Sequence, residues 1–476
     1  MPNPPSETLL RQLAESLGPR GFSRAPEDLK PWLTDWRGRW HGRTAALLSP
    51  ETPEQVQAIV TQCAAERVAI VPQGGNTSMV GGATPSAEGN SFLLSLRRMR
   101  RIREISASDN MLVAEAGLIL ADVHEAAEGI GRRFPLSLAA KGSATVGGLV
   151  STNAGGTQVL RFGTMRALVL GLEAVLPDGS LYHGLSGLRK DNRGYDLRQM
   201  LIGAEGTLGI VTAASLRLVA AVGSRAVAWT GLASPDDALR LLRHLEGRLG
   251  DRVESFELIP SNALELVIAH IPGTRAPLAQ AHAWHALVEV TAPAGEAGAE
   301  HSLAAALADS LDRNLAADAT IAANEAQAQA LWRLRESIAE AERKQGASLK
   351  HDIAVPVSAM PGFLVSARKA VEGLYPGCRI IAFGHLGDGN VHFNVQPPAD
   401  ACSESWLSRP GGDVSDLIYD LVTAAGGSIS AEHGIGQMKA DALARTADPA
   451  LLFAQRAIKA ALDPAGIMNP GKIFPG

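Results

Sequence analysis

The 476-residue sequence lacks the features that mark several common classes of protein. No apolar stretch approaches the roughly 20 residues of a membrane-spanning helix, and the N-terminus lacks the basic and apolar regions of a secretory signal. The net charge is −5 without any run of Lys or Arg, which argues against nucleic-acid binding. Its three cysteines lack the spacing of a disulfide framework or metal site, and we therefore expect a reducing, cytoplasmic location.

Standard cofactor fingerprints are also absent, but glycine is abundant and clustered. Neither GxGxxG nor GxxxxGK[ST] occurs. The 49 glycines include three rich segments, each next to a predicted strand: glycine loop 1 (residues 73–82), glycine loop 2 (residues 141–156) and glycine loop 3 (residues 203–210). Before glycine loop 1, a threonine cap at Thr52 and Pro53 at the first helical position predict a helix through about Arg67, and residues 68–72 read as a strand. Exposed backbone N–H groups in such loops bind anions. One such loop is more often a simple turn, but three in one half of the chain favour a large ligand with phosphates and an extended ring.

A predicted hairpin carries two histidines. The apolar run 379–383 and the alternating residues from Val391 onward read as strands. Between them, Gly-Asp-Gly-Asn is a tight turn signal. The hairpin would bring His385 and His392 together, and two imidazoles with a third ligand suffice for a metal ion with open coordination positions.

A second cluster, SAEHGIG, supplies an acid and another imidazole; we call residues 430–436 the His433 loop. Histidines beside turns are more often surface or capping residues, so the case for a metal centre depends on this cluster. Glu432 is a candidate third metal ligand. His433 then remains to move protons near neutral pH.

In its ordered motifs the sequence resembles the FAD-linked oxidase family, which has the vanillyl-alcohol-oxidase/p-cresol-methylhydroxylase fold. The resemblance runs from about Trp36 to Phe474 and rests on six segments: VPQGGNTSMVGG, KGSATVGGLVSTNAGG, LRKDNRGYDLRQMLIGAEGTLGIVT, FGHLGDGNVHFN, SAEHGIG and MNPGKIF. It implies an α+β fold with an FAD-binding domain of two subdomains over residues 1–220. An α/β substrate-binding domain with an antiparallel sheet would follow over 221–427, and a C-terminal helical segment over 428–476 would close on the flavin.

The resemblance also implies which residues bind FAD. These are Gln73, Gly74, Gly75, Asn76, Thr77 and Ser78 at the pyrophosphate; Gly142, Ser143, Gly147, Gly148, Thr152 and Asn153 along the cofactor; Glu205, Gly206 and Ile210 towards the adenine and ribose; and Asn469 near the isoalloxazine. Members with a covalent flavin often carry His in the first of these loops. Here Asn76 stands in a loop without His or Cys, which predicts a dissociable FAD.

Oxidation of a 2-hydroxy acid needs a hydride acceptor, a base for the hydroxyl proton and a group that binds the carboxylate. Flavin accepts hydride, and a divalent metal, with zinc favoured over manganese or cobalt, would bind carboxylate and hydroxyl together. His433 would be the base, and Asn394, which shares a strand face with His392, would bind substrate.

Within the family, LRKDN before GYDL resembles the D-2-hydroxyglutarate branch, with D-lactate and glycolate dehydrogenases as neighbours. In that branch an Arg and a Lys matching Arg335 and Lys350 clamp the distal carboxylate. Arg335 lies on a helix predicted over 324–345. Ala339 departs from the pattern, since relatives offer a hydroxyl there.

The expectations for the electron acceptor and for partner proteins come from the family resemblance. Since heme, iron–sulfur and dinucleotide motifs are absent, we expect an external acceptor, either an electron-transfer flavoprotein or a quinone, and by resemblance a homodimer. Two other functions remain as alternatives. A metal-dependent hydrolase using the same His/His/Glu set would leave the glycine loops without a purpose, and a non-catalytic flavin-binding subunit would leave the candidate catalytic residues without one.

Overall fold

Strands and helices are interspersed along the whole chain in the computed structural model, which describes residues 2–294 and 298–475. The strands are β1 (Phe22–Ser23), β2 (Ala46–Leu48), β3 (Ala69–Gln73), β4 (Ser91–Ser95), β5 (Ile102–Ser106), β6 (Met111–Glu115), β7 (Arg132–Arg133), β8 (Val169–Val175), β9 (Leu181–Gly184), β10 (Ile210–Arg217), β11 (Val219–Ala220), β12 (Ser224–Leu232), β13 (Val253–Pro260), β14 (Trp284–Ala292), β15 (Asp318–Ile321), β16 (Leu349–Ala354), β17 (Arg379–His385) and β18 (Asn390–Gln396).

The helices are α1 (Glu7–Gly21), α2 (Pro26–Leu29), α3 (Pro53–Glu66), α4 (Leu120–Glu128), α5 (Val146–Ser151), α6 (Val159–Phe162), α7 (Met165–Leu168), α8 (Leu197–Leu201), α9 (Pro235–Leu249), α10 (Ser261–His270), α11 (Ala299–Asp312), α12 (Glu325–Glu336), α13 (Ile338–Gln345), α14 (Met360–Leu374), α15 (Ser403–Ser408), α16 (Pro410–Ala424), α17 (Ala440–Thr446) and α18 (Pro449–Leu462). None of the helices in the described part of the chain combines the length and apolar character that crossing a bilayer requires.

Unit 1 of the two compact units comprises Met1–Gly156, Gly163–Ala220 and Glu432–Gly476. It contains one sheet in the order β1-β2-β4-β3, in which β4 runs parallel to both β2 and β3. A second, antiparallel sheet has the order β5-β6-β10-β8-β9. The His433 loop re-enters this unit at Glu432, so the C-terminal segment belongs with the N-terminal domain.

Local sequence signals explain how glycine loop 1 is positioned. The Thr52 side chain accepts a hydrogen bond from Gln55 N and Pro53 occupies the first turn of α3, as predicted for a capped helix start. The helix ends before Arg67, whose φ is +57°. Strand β3 then runs between this end and glycine loop 1, buried against β4. The predicted helix–strand–loop order is thereby confirmed.

Unit 2 comprises Thr157–Phe162 and Ala221–Ala431. Its antiparallel sheet has the order β15-β12-β14-β13-β17-β18-β16. The predicted hairpin is confirmed as β17 and β18, joined by a turn at residues 386–389. Gly389 in this turn has a φ of +81° and a Cβ there would overlap the carbonyl oxygen of Val355, so glycine is required on both counts.

The single helix predicted over 324–345 is wrong, because the structure has two helices, α12 and α13, that meet at Ser337. Ser337 has a ψ of −4°, far from the roughly −42° of a regular α-helix, so the regular helix is interrupted there. Serine favours such ends because its hydroxyl competes for backbone hydrogen bonds. Arg335 therefore lies on the last turn of α12, whereas Ala339 lies on α13.

Candidate active site

The three glycine loops line one cavity of about 520 Å³ in unit 1, a size typical of ligand sites. Thirteen of the residues predicted to bind the cofactor lie in its wall: Gln73, Gly74, Gly75, Asn76, Thr77, Ser78, Ser143, Gly147, Gly148, Thr152, Glu205, Gly206 and Ile210. Glu432 and His433 lie in the same wall. The loops that sequence reasoning grouped by composition are therefore grouped in space.

Three predicted cofactor residues, Gly142, Asn153 and Asn469, lie outside that wall. Asn153 has a φ of +50° and its Oδ1 accepts a hydrogen bond from Arg166 N at 2.9 Å. Asn469 is buried, and its Nδ2 donates to Gly82 O at 3.0 Å and to Glu205 O at 2.7 Å. Asn469 therefore links two segments of the cavity wall, whereas the side chain of Asn153 makes its contact outside that wall.

The first two glycines of glycine loop 1 are needed for contact with glycine loop 2. A Cβ on Gly74 would overlap the hydroxyl of Thr145, and a Cβ on Gly75 would overlap the carbonyl oxygen of Ser143. Neither glycine has a positive φ, so close approach, and not backbone conformation, requires glycine here. Sequence reasoning assigned these glycines to phosphate contact alone and missed the packing of one loop on the other.

Two buried polar atoms in the wall suit a bound ligand. Among the described residues, Gln73 Oε1 and Thr145 Oγ1 have no hydrogen-bond partner within the protein. Gln73 Nε2 donates to Trp32 O at 3.0 Å and to Ala83 O at 2.9 Å, which fixes the side chain in place. Because buried polar groups are normally satisfied, a ligand with hydrogen-bonding groups fits this wall, and FAD meets that requirement.

Substitution of Gly75 by Ala should abolish FAD binding. The added methyl group would displace glycine loop 2 at Ser143 and deform the cavity wall. The control is Gly247→Ala on α9, because a Cβ on Gly247 meets no atom within 4 Å, its φ is not positive and it lies outside the glycine loops. FAD content of both purified variants, with circular dichroism to check folding, would test this. Full FAD content in the Gly75 variant would contradict the loop-packing account.

Glu205 holds the His433 loop in place. Its buried carboxylate accepts hydrogen bonds from Ile435 N at 2.7 Å and Gly436 N at 2.8 Å. Burial raises the pKa of Glu205, while these two N–H groups and the charges of Lys439 and Lys472 act in the opposite direction. Sequence reasoning assigned Glu205 to the cofactor; the structure gives it a second task, fixing the loop that carries His433.

The two hairpin histidines lie side by side in unit 2. Their ring centroids are 5.5 Å apart with the rings at 79°, which confirms the predicted proximity. Phe383 pairs with His392 across β17 and β18, and His385 stands two residues beyond Phe383 on the same face. Strand register, not loop geometry, therefore fixes the distance between the two imidazoles.

Glu432 reaches these histidines through the local course of the chain. Asp352 pairs with His392 across β16 and β18, and Ala431 N donates to Asp352 O at 3.4 Å. Glu432 follows Ala431 by one peptide bond, so it must lie beside this strand pair. The ligand atoms of His385, His392 and Glu432 lie within 4.8 Å of one another. Two imidazoles and one carboxylate with this spacing fit a divalent metal ion.

Glu257 orients His385 and was not found from the sequence. Its Oε1 accepts from His385 Nδ1 at 2.5 Å and its Oε2 from Arg335 Nε at 2.7 Å. Burial raises the pKa of Glu257, but His385 and Arg335 lower it more, to about 2. Because the carboxylate is ionised, Nδ1 carries the proton, which makes Nε2 of His385 the ring nitrogen with a lone pair that could bind a metal ion. Glu257 pairs with His385 between β13 and β17, a pairing without a local sequence signal.

The candidate substrate residues contact two buried carboxylates. The Arg335 guanidinium lies 4.6 Å from the centre of the Phe383 ring and forms the ion pair with Glu257. Lys350 Nζ and Asn394 Nδ2 both donate to Glu342 Oε2, at 2.7 and 2.8 Å. Glu342, on α13, is buried and was missed. Only the two-helix arrangement after Ser337 and the pairing of β16 with β18 identify it.

Two family models match most of the chain. Residues 44–184 match the model of an FAD binding domain, and residues 223–473 match that of the C-terminal domain of FAD linked oxidases. The fold is α+β, with a TM-score of 0.75 against a crystal structure of p-cresol methylhydroxylase with substrate bound. That comparison covers 98% of this chain and 96% of the other at 17% identity.

Curated relatives align over most of the chain. A D-2-hydroxyglutarate dehydrogenase of Xanthomonas citri pathovar viticola is 38% identical over 94% of this chain and 93% of its own length. The mitochondrial D-2-hydroxyglutarate dehydrogenase of Bos taurus is 38% identical over 94% of this chain and 80% of its own. A mitochondrial protein of Schizosaccharomyces pombe, provisionally named a D-lactate dehydrogenase, is 33% identical over 94% and 85%. The chain described here belongs to the FAD-linked oxidase family.

Proposed function

We propose that this protein is an FAD-dependent dehydrogenase that oxidises a D-2-hydroxy acid with the help of a divalent metal ion. The observation that carries the proposal is the position of Glu432 and His433. Both line the glycine-loop cavity, and Glu432 also completes the potential metal-binding group with His385 and His392. A flavin-dependent enzyme would use the glycine loops to bind its cofactor, whereas a metal-dependent hydrolase would have no function for them.

The cavity wall would hold the cofactor. Glycine loops 1 and 2 would bind FAD through their backbone N–H groups, with Gln73 and Thr145 supplying the buried polar atoms that lack protein partners among the described residues. When bound, FAD would accept a hydride from C2 of the substrate. Asn76 has a φ of +52° and its Nδ2 donates to Thr34 O at 2.9 Å. Since Asn76 offers no nucleophile for flavin attachment, we propose non-covalent FAD.

The two histidines and Glu432 would bind the ion, and zinc suits this ligand set, although manganese or cobalt would also fit. When bound, the ion would bind the substrate's carboxylate and hydroxyl and lower the pKa of that hydroxyl. Glu257 would hold His385 in the tautomer that binds metal through Nε2. His433 would take the hydroxyl proton as general base. Asn394, fixed by Glu342, would contribute a hydrogen bond to the substrate.

D-2-hydroxyglutarate, which would yield 2-oxoglutarate, is the first substrate to test, since the relatives described above carry its name. Arg335 and Lys350 would face its distal carboxylate. D-lactate is the second, supported by the Schizosaccharomyces pombe relative, and glycolate is the third. We further propose an electron-transfer flavoprotein or a quinone as the external acceptor, a homodimer, and a cytoplasmic location.

A panel of 2-hydroxy acids with an artificial dye acceptor, run with and without a chelator, tests this function. We expect the purified protein to be yellow and the chelator to inhibit it strongly. D-2-hydroxy acids should reduce the flavin and L-2-hydroxy acids should not, because the proposed site would hold carboxylate, hydroxyl and base in one arrangement. The metal-dependent hydrolase alternative predicts instead a protein that takes up no FAD. Flavin that is bound but is not reduced by any panel member would favour the non-catalytic alternative.

A further inference from the structure

The two cations next to the proposed metal ligands are each paired with a buried carboxylate. Arg335 pairs with Glu257 at 2.7 Å, and Lys350 pairs with Glu342 at 2.7 Å. Glu257 and Glu342 are both fully buried. Positive charge attracts a second substrate carboxylate most strongly when no protein carboxylate lies beside it. In each of these two pairs a buried carboxylate opposes the positive charge.

The ion pair of Glu342 and Lys350 lies two residues along the strands from the proposed metal ligand His392. Lys350 pairs with Asn394 across β16 and β18, in the same register in which Asp352 pairs with His392. Asn394 and His392 are two residues apart on one strand and share a face, which separates them by roughly 6.6 Å. This separation is close to the span of a five-carbon hydroxy acid, so the distal end of such a substrate would meet Glu342.

Glu342 is held in place by more than its ion pair. Asn394 Nδ2 donates to the same carboxylate oxygen as Lys350, at 2.8 Å, and Gln396 Nε2 donates to the backbone oxygen of Glu342 at 3.3 Å. Because β16, β18 and α13 all contribute to this group, the carboxylate is a fixed part of the subsite. Its charge acts on whatever binds beside Lys350.

We propose that Glu342 sets the specificity of the active site by opposing a second carboxylate. This inference rests on the proposed function. A substrate carboxylate at Lys350 must compete with Glu342 and lie within a few ångströms of its negative charge. A side chain without charge, such as the methyl group of D-lactate, avoids that cost. Glu342 therefore reduces the preference of the active site for dicarboxylic over monocarboxylic D-2-hydroxy acids.

Two variants with opposite expected results test the proposal. Glu342→Gln keeps the shape and removes the charge, so KM for D-2-hydroxyglutarate should fall about tenfold while KM for D-lactate stays within about twofold. Lys350→Gln leaves Glu342 without this cation, so the KM for D-2-hydroxyglutarate should rise by about tenfold or more. The matched control is Glu340→Gln, because Glu340 is an exposed carboxylate on the same helix, paired with Lys344.

The ratio of kcat/KM for the two substrates separates specificity from structure. If Glu342 had a purely structural role, its replacement would change kcat/KM for both substrates by the same factor. A ratio of kcat/KM that shifts in the same direction in Glu342→Gln and Lys350→Gln would overturn the proposal. Should Glu342→Gln fail to fold, the double variant Glu342→Gln/Lys350→Gln, which removes both charges of the pair, is compared with Lys350→Gln alone. The inhibition constant of glutarate should be lower in the double variant, and that of butyrate should be the same in both. Equal inhibition constants for glutarate in the two variants would overturn the proposal. If neither substrate reduces the flavin in wild-type protein, the proposed function itself has failed.

Discussion

Replacement of His433 by Ala should lower the rate of flavin reduction by a D-2-hydroxy acid about 10²–10⁴-fold, the usual contribution of a general base. His433 lies in the cavity wall beside the candidate metal ligand Glu432, and its loop is fixed by the two N–H bonds to Glu205. Removal of the imidazole should therefore take away proton transfer without disturbing FAD or metal binding. The measurement is single-turnover bleaching of the flavin, followed anaerobically by stopped flow.

The control for this variant is His301→Ala, since His301 is exposed on α11 in unit 2. It should bleach at the wild-type rate. Bleaching at the wild-type rate in the His433 variant would show that another group accepts the proton. FAD content and metal content must be measured on the same samples, because a loss of either would have a different cause.

Replacement of His392 by Ala should remove the metal while FAD stays bound. His392 offers one of the three ligand atoms within the 4.8 Å group, and two remaining ligands bind a divalent ion weakly. The loss of affinity should exceed the roughly 10–100-fold typical of changing a residue that only supports a ligand. Elemental analysis after dialysis, together with the visible flavin spectrum, would measure both contents.

Glu257→Gln provides a graded comparison for His392→Ala. Glu257 does not belong to the ligand group, but its carboxylate fixes His385 through the 2.5 Å hydrogen bond. Metal affinity should fall by about 10–100-fold in this variant and by more in the His392 variant. Unchanged metal content after removal of His392 would refute the ligand set, whatever the activity of that variant.

The parts of the fold that sequence reasoning predicted depend on neighbouring residues. Thr52 and Pro53 start α3 through local capping and backbone geometry, and the hairpin of β17 and β18 follows from alternation of side chains around a glycine-rich turn. The histidine pair was predictable for the same reason, since hairpin register alone brings His385 and His392 together.

The residues that were missed are carboxylates brought in by distant strands and helices. Glu257 stands 128 positions before His385, and Glu342 meets Asn394 from a helix 52 positions earlier in the chain. A buried acid in an amphipathic segment gives no local sign of its partner. The end of α12 at Ser337 was also missed, because the helical spacing of the apolar residues Leu331, Leu334 and Ile338 continues through it.

The glycine loops show how a correct prediction can rest on an incomplete reason. Their composition indicated a phosphate-binding wall, and they do line one cavity. The strongest constraint on Gly74 and Gly75, however, is their contact with Thr145 and Ser143 of glycine loop 2. That contact joins segments that are far apart in the chain, and composition alone carries no information about it.

The most direct test of the account is anaerobic flavin reduction by D-2-hydroxyglutarate or D-lactate in protein that keeps its FAD, before and after removal of the metal by a chelator. We expect bleaching in the first case, loss of nearly all of that rate in the second, and recovery when zinc, manganese or cobalt is added back. Full-rate bleaching in metal-free protein would contradict a catalytic role for an ion held by His385, His392 and Glu432.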